Sequence, residues 1–242
     1  MWNHREKYIL NATKALSFAA FAFFSLHSCN GYKYLELTAV NPGDLKQSLQ
    51  NKGNDATDIR INGTITQADT DYLIELATSS DILTQLDLSN CDIKMPHHAF
   101  AGCTFIKTVY LPKLSMLSIP HHMFSGCTSL SNVKLPDECI IIEENAFKNC
   151  SSLTQIALPA SIDIIKDGAF CGCSNLKYVF CEATIPPQCN SRCFADIPSD
   201  ACLYVPKGCV ELYKKAAGWN KINNIIGVKE SIFFSDTNWK KH

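Results

Sequence analysis

The chain has 242 residues, 46% of them hydrophobic and 19% charged, with a formal net charge of −1. That is enough apolar material for one ordinary domain with a real core, and a balance too neutral to supply the attraction on which nucleic-acid binding rests. Thirteen cysteines would suggest a disulfide framework in an exported chain. The periodicity described below gives four or five of them a competing role as buried thiols, while Cys139, Cys171, Cys189, Cys193, Cys202 and Cys209 fall off the repeat columns and are free to pair.

Residues 1–28 read as an export signal. Arg5, Lys7 and Lys14 make a basic start, and Ala15 to Leu26 is an apolar run too short to span a bilayer. The run ends Leu26-His27-Ser28-Cys29, which resembles a bacterial lipobox and implies a signal of the lipoprotein type, with Cys29 as the lipidated first residue after cleavage. An ordinary secretory signal cut near the same place is the alternative. A single acyl chain holds a membrane only marginally, so the multiple acylation of such lipoproteins would be needed for stable anchoring. Residues 29–42 then read as a tether. They carry no acidic run after Cys29, so the sequence does not indicate display on the outer face.

Residues 43–82 are expected to form an N-terminal cap. Asp44 to Gln50 reads as a short helix after Pro42-Gly43, Thr57 to Ile61 alternates as a strand, and Gly63 is expected to turn it. Thr66 to Thr78 is a second helix with Tyr72, Leu73, Leu76 and Ala77 on its apolar face and Thr66 or Asp69 as cap. Such a cap is needed because the first strand of a stack presents an unpaired edge and an open core.

Between 83 and 200 one phrase recurs. Phe100-Ala101-Gly102-Cys103 returns as Phe124 to Cys127, Phe147 to Cys150 and Phe170 to Cys173, and Phe194 follows, in steps of 24, 23, 23 and 24 residues. After each comes an apolar triplet: Ile106, Val109, Leu111; Leu130, Val133, Leu135; Leu153, Ile156, Leu158; Leu176, Val179, Cys181. Leu83, Leu86 and Leu88 give the triplet one repeat earlier. The last two members alternate with polar or aromatic residues, as a half-buried strand requires. Leu-Pro ends three of these strands, at 111–112, 135–136 and 158–159, where a missing N–H stops the ladder. A second apolar point precedes each Phe: Met95, Ile119, Ile142, Ile165 and Cys189. A period in this range marks a leucine-rich-repeat solenoid, in which stacked units place equivalent residues in columns about 4.8 Å apart. One column holds the Phe residues and another Cys103, Cys127, Cys150 and Cys173, small polarizable groups suited to a tight interior.

Residues 201–228 are expected to close the other end. Leu203 to Gly208 reads as a last strand, Cys209 to Ala217 as a short helix stopped by Gly218, and Trp219 with Ile222 to Val228 as a return to the stack. Residues 229–242 form a tail, in which Ile232-Phe233-Phe234 is either frayed or an extra strand.

The run Ala146-Phe147-Lys148-Asn149-Cys150-Ser151-Ser152-Leu153 through Ile156, Leu158 and Pro159 resembles the repeat text of the BspA-like leucine-rich-repeat family. The closing Leu203-Tyr204-Val205-Pro206-Lys207-Gly208 with Gly218-Trp219 resembles that family's C-terminal ending. The resemblance covers about 80 to 228. It implies an α/β repeat fold: a right-handed, strand-lined solenoid between an N-terminal strand and helix cap and a C-terminal helix cap. It further implies a lipoprotein of the bacterial outer membrane, of Bacteroidetes type, that binds or adheres to host or neighbouring-cell proteins.

The residues themselves speak against catalysis. There is no Gly-rich phosphate loop, no His-Glu-x-x-His and no Cys-x-x-Cys, and no cofactor is implied. Cys171-Gly172-Cys173 has its second member in the buried column, a poor redox pair. Two constellations remain. His97-His98 and His121-His122 lie one repeat apart, and His97, His121, Glu144 and Asp167 all fall three residues before a repeat Phe. In a regular stack they form a column from which His97, His121 and Glu144 would ligate zinc, unless the turn is simply solvated. The other is the strand face pointing away from the core, with Tyr110, Lys134, Tyr178, Phe180 and Tyr204 as candidate binding residues. Its aromatics either anchor a protein or glycan partner or pack against the C-terminal cap or tail. A binding module anchored through lipid at Cys29 is the leading expectation. Glycan capture in nutrient uptake and a structural envelope role are the alternatives.

Overall fold

A repeat of 23 or 24 residues brings the chain back to its starting side once per unit, so each strand lies beside its counterpart one unit earlier, parallel to it. The computed structural model describes residues 24–29, 32–38, 43–50, 55–112 and 116–229. The order is β1 (Phe24–Cys29), β2 (Tyr32–Thr38), α1 (Leu45–Gln50), β3 (Asp58–Thr64), α2 (Gln67–Ser79) and β4 (Gln85–Asp92). There follow β5 (Thr108–Tyr110), β6 (Ser118–Ile119), β7 (Asn132–Lys134), β8 (Ile141–Ile142), β9 (Gln155–Leu158), β10 (Ile164–Ile165) and β11 (Tyr178–Cys181). The chain closes with β12 (Cys202–Pro206), α3 (Val210–Lys215), a 3-10 helix (Trp219–Lys221) and β13 (Asn224–Val228).

The long strands form a six-stranded sheet in the order β1-β2-β3-β4-β5-β7 and a four-stranded sheet in the order β13-β12-β11-β9. The two-residue strands make a second ladder, β10-β8-β6. Equivalent apolar residues meet in register: Val109 lies between Leu86 and Val133, and Val179 between Ile156 and Leu203. All are buried, as are the second apolar points Met95, Ile119, Ile142 and Ile165. β9 ends at Leu158, directly before Pro159.

The turns carry a ladder of their own. Phe100, Phe124, Phe147 and Phe170 each donate a backbone N–H to the following turn, with N···O distances of 2.7–2.9 Å. Their rings stack in one buried column with centroids 5.2–5.6 Å apart, running on to Phe194. The cysteine column has a specific reason beyond size. The carbonyls of Phe100, Phe124 and Phe147 each accept the N–H of the cysteine in their own turn and the thiol of the cysteine in the next. Cys127 Sγ reaches Phe100 O at 2.9 Å, Cys150 Sγ reaches Phe124 O at 3.1 Å and Cys173 Sγ reaches Phe147 O at 3.1 Å. A thiol therefore occupies the second lone pair of a carbonyl that water cannot reach. The twelve cysteines from Cys91 to Cys209 are free thiols, the off-column six among them.

Both caps extend the stack rather than merely covering it. The stretch read as a tether carries β2, which pairs parallel with β3, Leu35 against Ile59 and Leu37 against Ile61. β1 adds an antiparallel edge. Gly63 does not end β3: at φ 113° it continues the strand opposite Cys91, past a bulge between Arg60 and Asn62. At the other end the last strand is β13 rather than the stretch beginning at Leu203, because β13 pairs parallel along the whole of β12. α2 begins with a capping box in which Thr66 accepts from Asp69 N–H and the Asp69 carboxylate accepts from Thr66 N–H. The signal residues 1–23 and the tail 230–242 lie outside the described residues.

Candidate functional site

On the strand face, residues that alternate with the core columns are brought into rows by the parallel register. One row holds Gln155, Tyr178, Cys202 and Asn224, and the next Ala157, Phe180, Tyr204 and Ile226. Phe180 and Tyr204 stack with centroids 4.8 Å apart and planes 16° apart, and Tyr178 lies 6.5 Å from Tyr204. All three are half-buried, while Ile226, at the end of the row, is exposed. Burial pushes the Tyr204 phenol up, with Cys202 and Tyr178 adding to it, so the ring is neutral at physiological pH. Tyr110 and Lys134 are a separate register pair in the other sheet, Tyr110 half-buried and Lys134 exposed. The face is thus a tight aromatic group at the C-terminal end and a lone pair further along. Ile226 belongs to the row and was missed in the sequence, because its place depends on β13 adding to β12.

The same face is polar toward its N-terminal end. Asp87 accepts Arg60 Nε at 2.7 Å through Oδ2 and Ser89 N–H and hydroxyl through Oδ1. Arg60 in turn lies over the Tyr34 ring, 5.7 Å from its centroid. Asn62 donates to Glu36 and accepts from Asn90. These groups hydrogen-bond to one another across β2, β3 and β4.

The histidine turns differ from the simple column. His97 and His121 do stand one above the other, His121 N–H donating to His97 Nδ1 at 3.2 Å. Glu144 accepts the backbone N–H of His122 and, through its carboxylate, the side-chain amide of Asn145. Among the described residues, the group whose side-chain donor atoms converge is His98, His121 and His122, all within 4.8 Å of one another, rather than His97, His121 and Glu144. The reason is backbone conformation. His98 and His122 have φ of 62° and 55°, a left-handed geometry, and the His98 ring meets His121 of the next turn edge-on at 5.5 Å. The signal was present in the sequence, since both members of the dipeptide recur. A shallow open groove lined by Lys94, His97, Ser118 and Glu143 runs beside this turn.

At the C-terminal end the Phe column meets a different residue. Trp219 is fully buried against Phe194, 5.2 Å between centroids, and packs edge-on to Tyr213. Its Nε1 donates to Pro187 O at 2.7 Å, and Tyr213 OH donates to Ala183 O at 2.7 Å. The backbone enters this plug through Gly218 at φ 79°, where an added Cβ would lie 2.6 Å from Asn190 O. Only glycine fits there.

Parallel strand ladders on one side, a stacked Phe and Cys column in the turns and a cap at each end define a leucine-rich-repeat solenoid. The chain belongs to the BspA type leucine-rich-repeat family, whose model matches six copies over residues 79–225. Among solved structures it is similar to the leucine-rich-repeat protein of T. pallidum, at 19% identity and a TM-score of 0.42, covering 86% of this chain and 80% of that one. It is also similar to a leucine-rich cell surface protein of Faecalibacterium prausnitzii, at 21% identity, a TM-score of 0.38 and coverage of 72% and 57%. A third is a leucine-rich-repeat protein of Bacteroides ovatus, at 15% identity, a TM-score of 0.39 and coverage of 81% and 56%. No curated protein matches the chain.

Proposed function

We propose that this chain is a non-enzymatic binding module of a bacterial envelope, which engages a protein partner, of a host matrix or a neighbouring cell, through the C-terminal part of its strand face. The observation that carries this reading is the row of Phe180, Tyr204 and Ile226 beside Tyr178, an apolar and aromatic strip held rigid by the sheet. Aromatic side chains on a fixed scaffold give large contact area at low entropic cost, which is what interface anchors need. Two of the buried thiols, Cys91 and Cys139, fit the non-enzymatic reading. Burial, with Asp87 adding to it, pushes Cys91 up to about 12, and burial pushes Cys139 up to about 11. Both are protonated at neutral pH and therefore poor nucleophiles. The near-parallel Phe180 and Tyr204 rings favour a second reading, glycan capture, since flat ring pairs stack on sugars.

The test is a binding screen of the full chain against matrix proteins and polysaccharides, beside a variant with Tyr110, Tyr178, Phe180 and Tyr204 changed to Ala. The expected result is a protein ligand whose affinity falls by more than about tenfold in the variant, the scale of anchor residues. Capture of a polysaccharide alone moves the conclusion to the glycan reading. If both proteins are folded and neither binds, the strand face is not the functional surface and a structural envelope role takes its place.

Attachment is proposed through lipid on Cys29, to the outer membrane. β1 spans this point, so cleavage before Cys29 would remove residues 24–28 and leave β2 at the sheet's edge. Cells expressing the chain and fed labelled palmitate should incorporate the label, and Cys29→Ala should not. Equal labelling of the two would rule out Cys29 as the anchor.

A further inference from the structure

The four histidines at 97, 98, 121 and 122 are more than the turn needs. Positions 98, 122, 145 and 168 are equivalent in successive repeats, and all four have positive φ. Asparagine holds the third and glycine the fourth, the residue types that accept this geometry most readily. The backbone therefore explains a left-handed residue at 98 and 122 but does not require an imidazole at either. Nor does the column at 121 require one, since the next turns use Glu144 and Asp167 there.

The three rings crowd together. His98 and His122 stack with centroids 4.7 Å apart, His121 meets His122 edge-on at 4.0 Å and His98 edge-on at 5.5 Å. One ring nitrogen of each lies within 4.8 Å of the others. His98 is exposed and the other two half-buried, so the group is open to solvent on one side. Within it, His122 Nδ1 is out of reach of water and has no hydrogen-bond partner, the one such buried side-chain nitrogen or oxygen among the described residues. An orphaned nitrogen of this kind destabilises the fold unless something satisfies it.

We propose that His98, His121 and His122 form a site for a late first-row divalent cation, with zinc the expected occupant. Three imidazoles and one open position form a standard ligand set for zinc, with zinc–nitrogen distances of about 2.0–2.1 Å. The donor atoms already lie within 4.8 Å of one another, and a cation bound at His122 Nδ1 would supply the partner that atom lacks. His97 lies outside the set because its Nδ1 is already engaged by the His121 N–H. Glu144 and Lys148 are the charged groups that act on His122, the first favouring a cation and the second opposing it. The site ties two adjacent repeats together on the turn side, away from the strand face, and is independent of the binding reading given above.

The test is calorimetric titration of the full chain with zinc chloride and, in parallel, with magnesium chloride. Zinc should saturate at one per chain, and magnesium, which prefers oxygen ligands, should give no heat. His98→Asn and His122→Asn keep a residue that tolerates the left-handed backbone, and His121→Gln removes the third ligand. Each single variant should weaken zinc by more than about tenfold, since even partners beyond the ligand shell typically cost 10–100-fold, while His97→Ala should bind as the parent does. Circular dichroism establishes that each variant is folded, and exposed His98→Asn keeps the test decisive if His122→Asn or His121→Gln unfolds. Absence of zinc heat, or equal affinity in His98→Asn and the parent, would overturn the proposal. So would loss of binding in His97→Ala alone.

Discussion

At its C-terminal end the solenoid is closed by an aromatic plug, and at its N-terminal end by a carboxylate. Trp219 sits on the last ring of the Phe column with Tyr213 against its edge; Trp219 donates to the carbonyl of Pro187, and the Tyr213 hydroxyl contacts the carbonyl of Ala183 and the thiol of Cys181. At the opposite end the strand ladder runs on through β3 and β2, and what fastens α1 to α2 there is Asp69. Its Oδ2 accepts from Gly43 N, Thr66 N and Thr66 Oγ1 at 2.7–2.9 Å, and its Oδ1 from Leu45 N at 3.1 Å. The buried carboxylate thus serves two helix starts at once, its own capping box and the first turn of α1. The difference teaches how a short repeat array ends. One end is held by burial of apolar area and does not depend on pH, whereas the other is held by a charge and must.

The sharpest way to break this comparison is at the plug. Trp219→Ala removes the largest buried side chain of the cap and leaves a cavity beside Phe194, a change that typically costs about 3–5 kcal/mol. Because repeats are stabilised chiefly by their neighbours, the loss should appear first as opening of α3, β13 and β12, followed at lower urea by the whole array. Trp219→Phe keeps most of the packing but strands the carbonyl of Pro187, and should cost about 1–3 kcal/mol. Urea denaturation of the full chain checks both. If Trp219→Ala falls within about 0.5 kcal/mol of the parent, as surface substitutions do, the plug is not what closes this end.

Most of the repeat region was legible in the sequence because its determinants are periodic. The Phe and Cys columns, the apolar triplets and the Leu-Pro stops each recur at one spacing, so one correct reading fixes every turn. The thiol-to-carbonyl bonds were not legible, since they join Cys127 to Phe100 and Cys150 to Phe124 across repeats and depend on backbone placement. The caps were half legible. Thr66 and Asp69 stood out as local helix-start signals, but the reach of Asp69 to Gly43 and Leu45 crosses 26 and 24 residues and leaves no local trace. β2 and β13 lack the repeat text and become strands because a neighbouring edge templates them. Of the candidate sites, Tyr178, Phe180 and Tyr204 were placed together by period-two alternation alone. The converging set takes in His98 and His122, which the column count passed over because it followed only the position three residues before each Phe.

The smaller effect is at Asp69, and it sharpens the contrast by pH. Burial alone would raise this carboxyl, but the hydrogen bonds from Thr66, Gly43 and Leu45 outweigh it and hold its pKa below the ordinary 3.8. A carboxylate lowered in the folded state contributes stability that is fully present above its unfolded value and is lost as pH falls through the folded one. The N-terminal cap should therefore loosen on acidification from about pH 4 downward, while the plug holds. Amide hydrogen exchange can read the two ends separately in one sample. The amides of α1 and of the first turn of α2 should lose protection over that window, and those of α3 and β13 should keep theirs. Asp69→Asn, which cannot ionise, should cost about 1–3 kcal/mol at neutral pH and abolish this part of the pH dependence. If the variant instead keeps the parent's acid-induced opening at α1, another carboxylate governs that end, and the contrast between a charged closure and an apolar one no longer rests on Asp69.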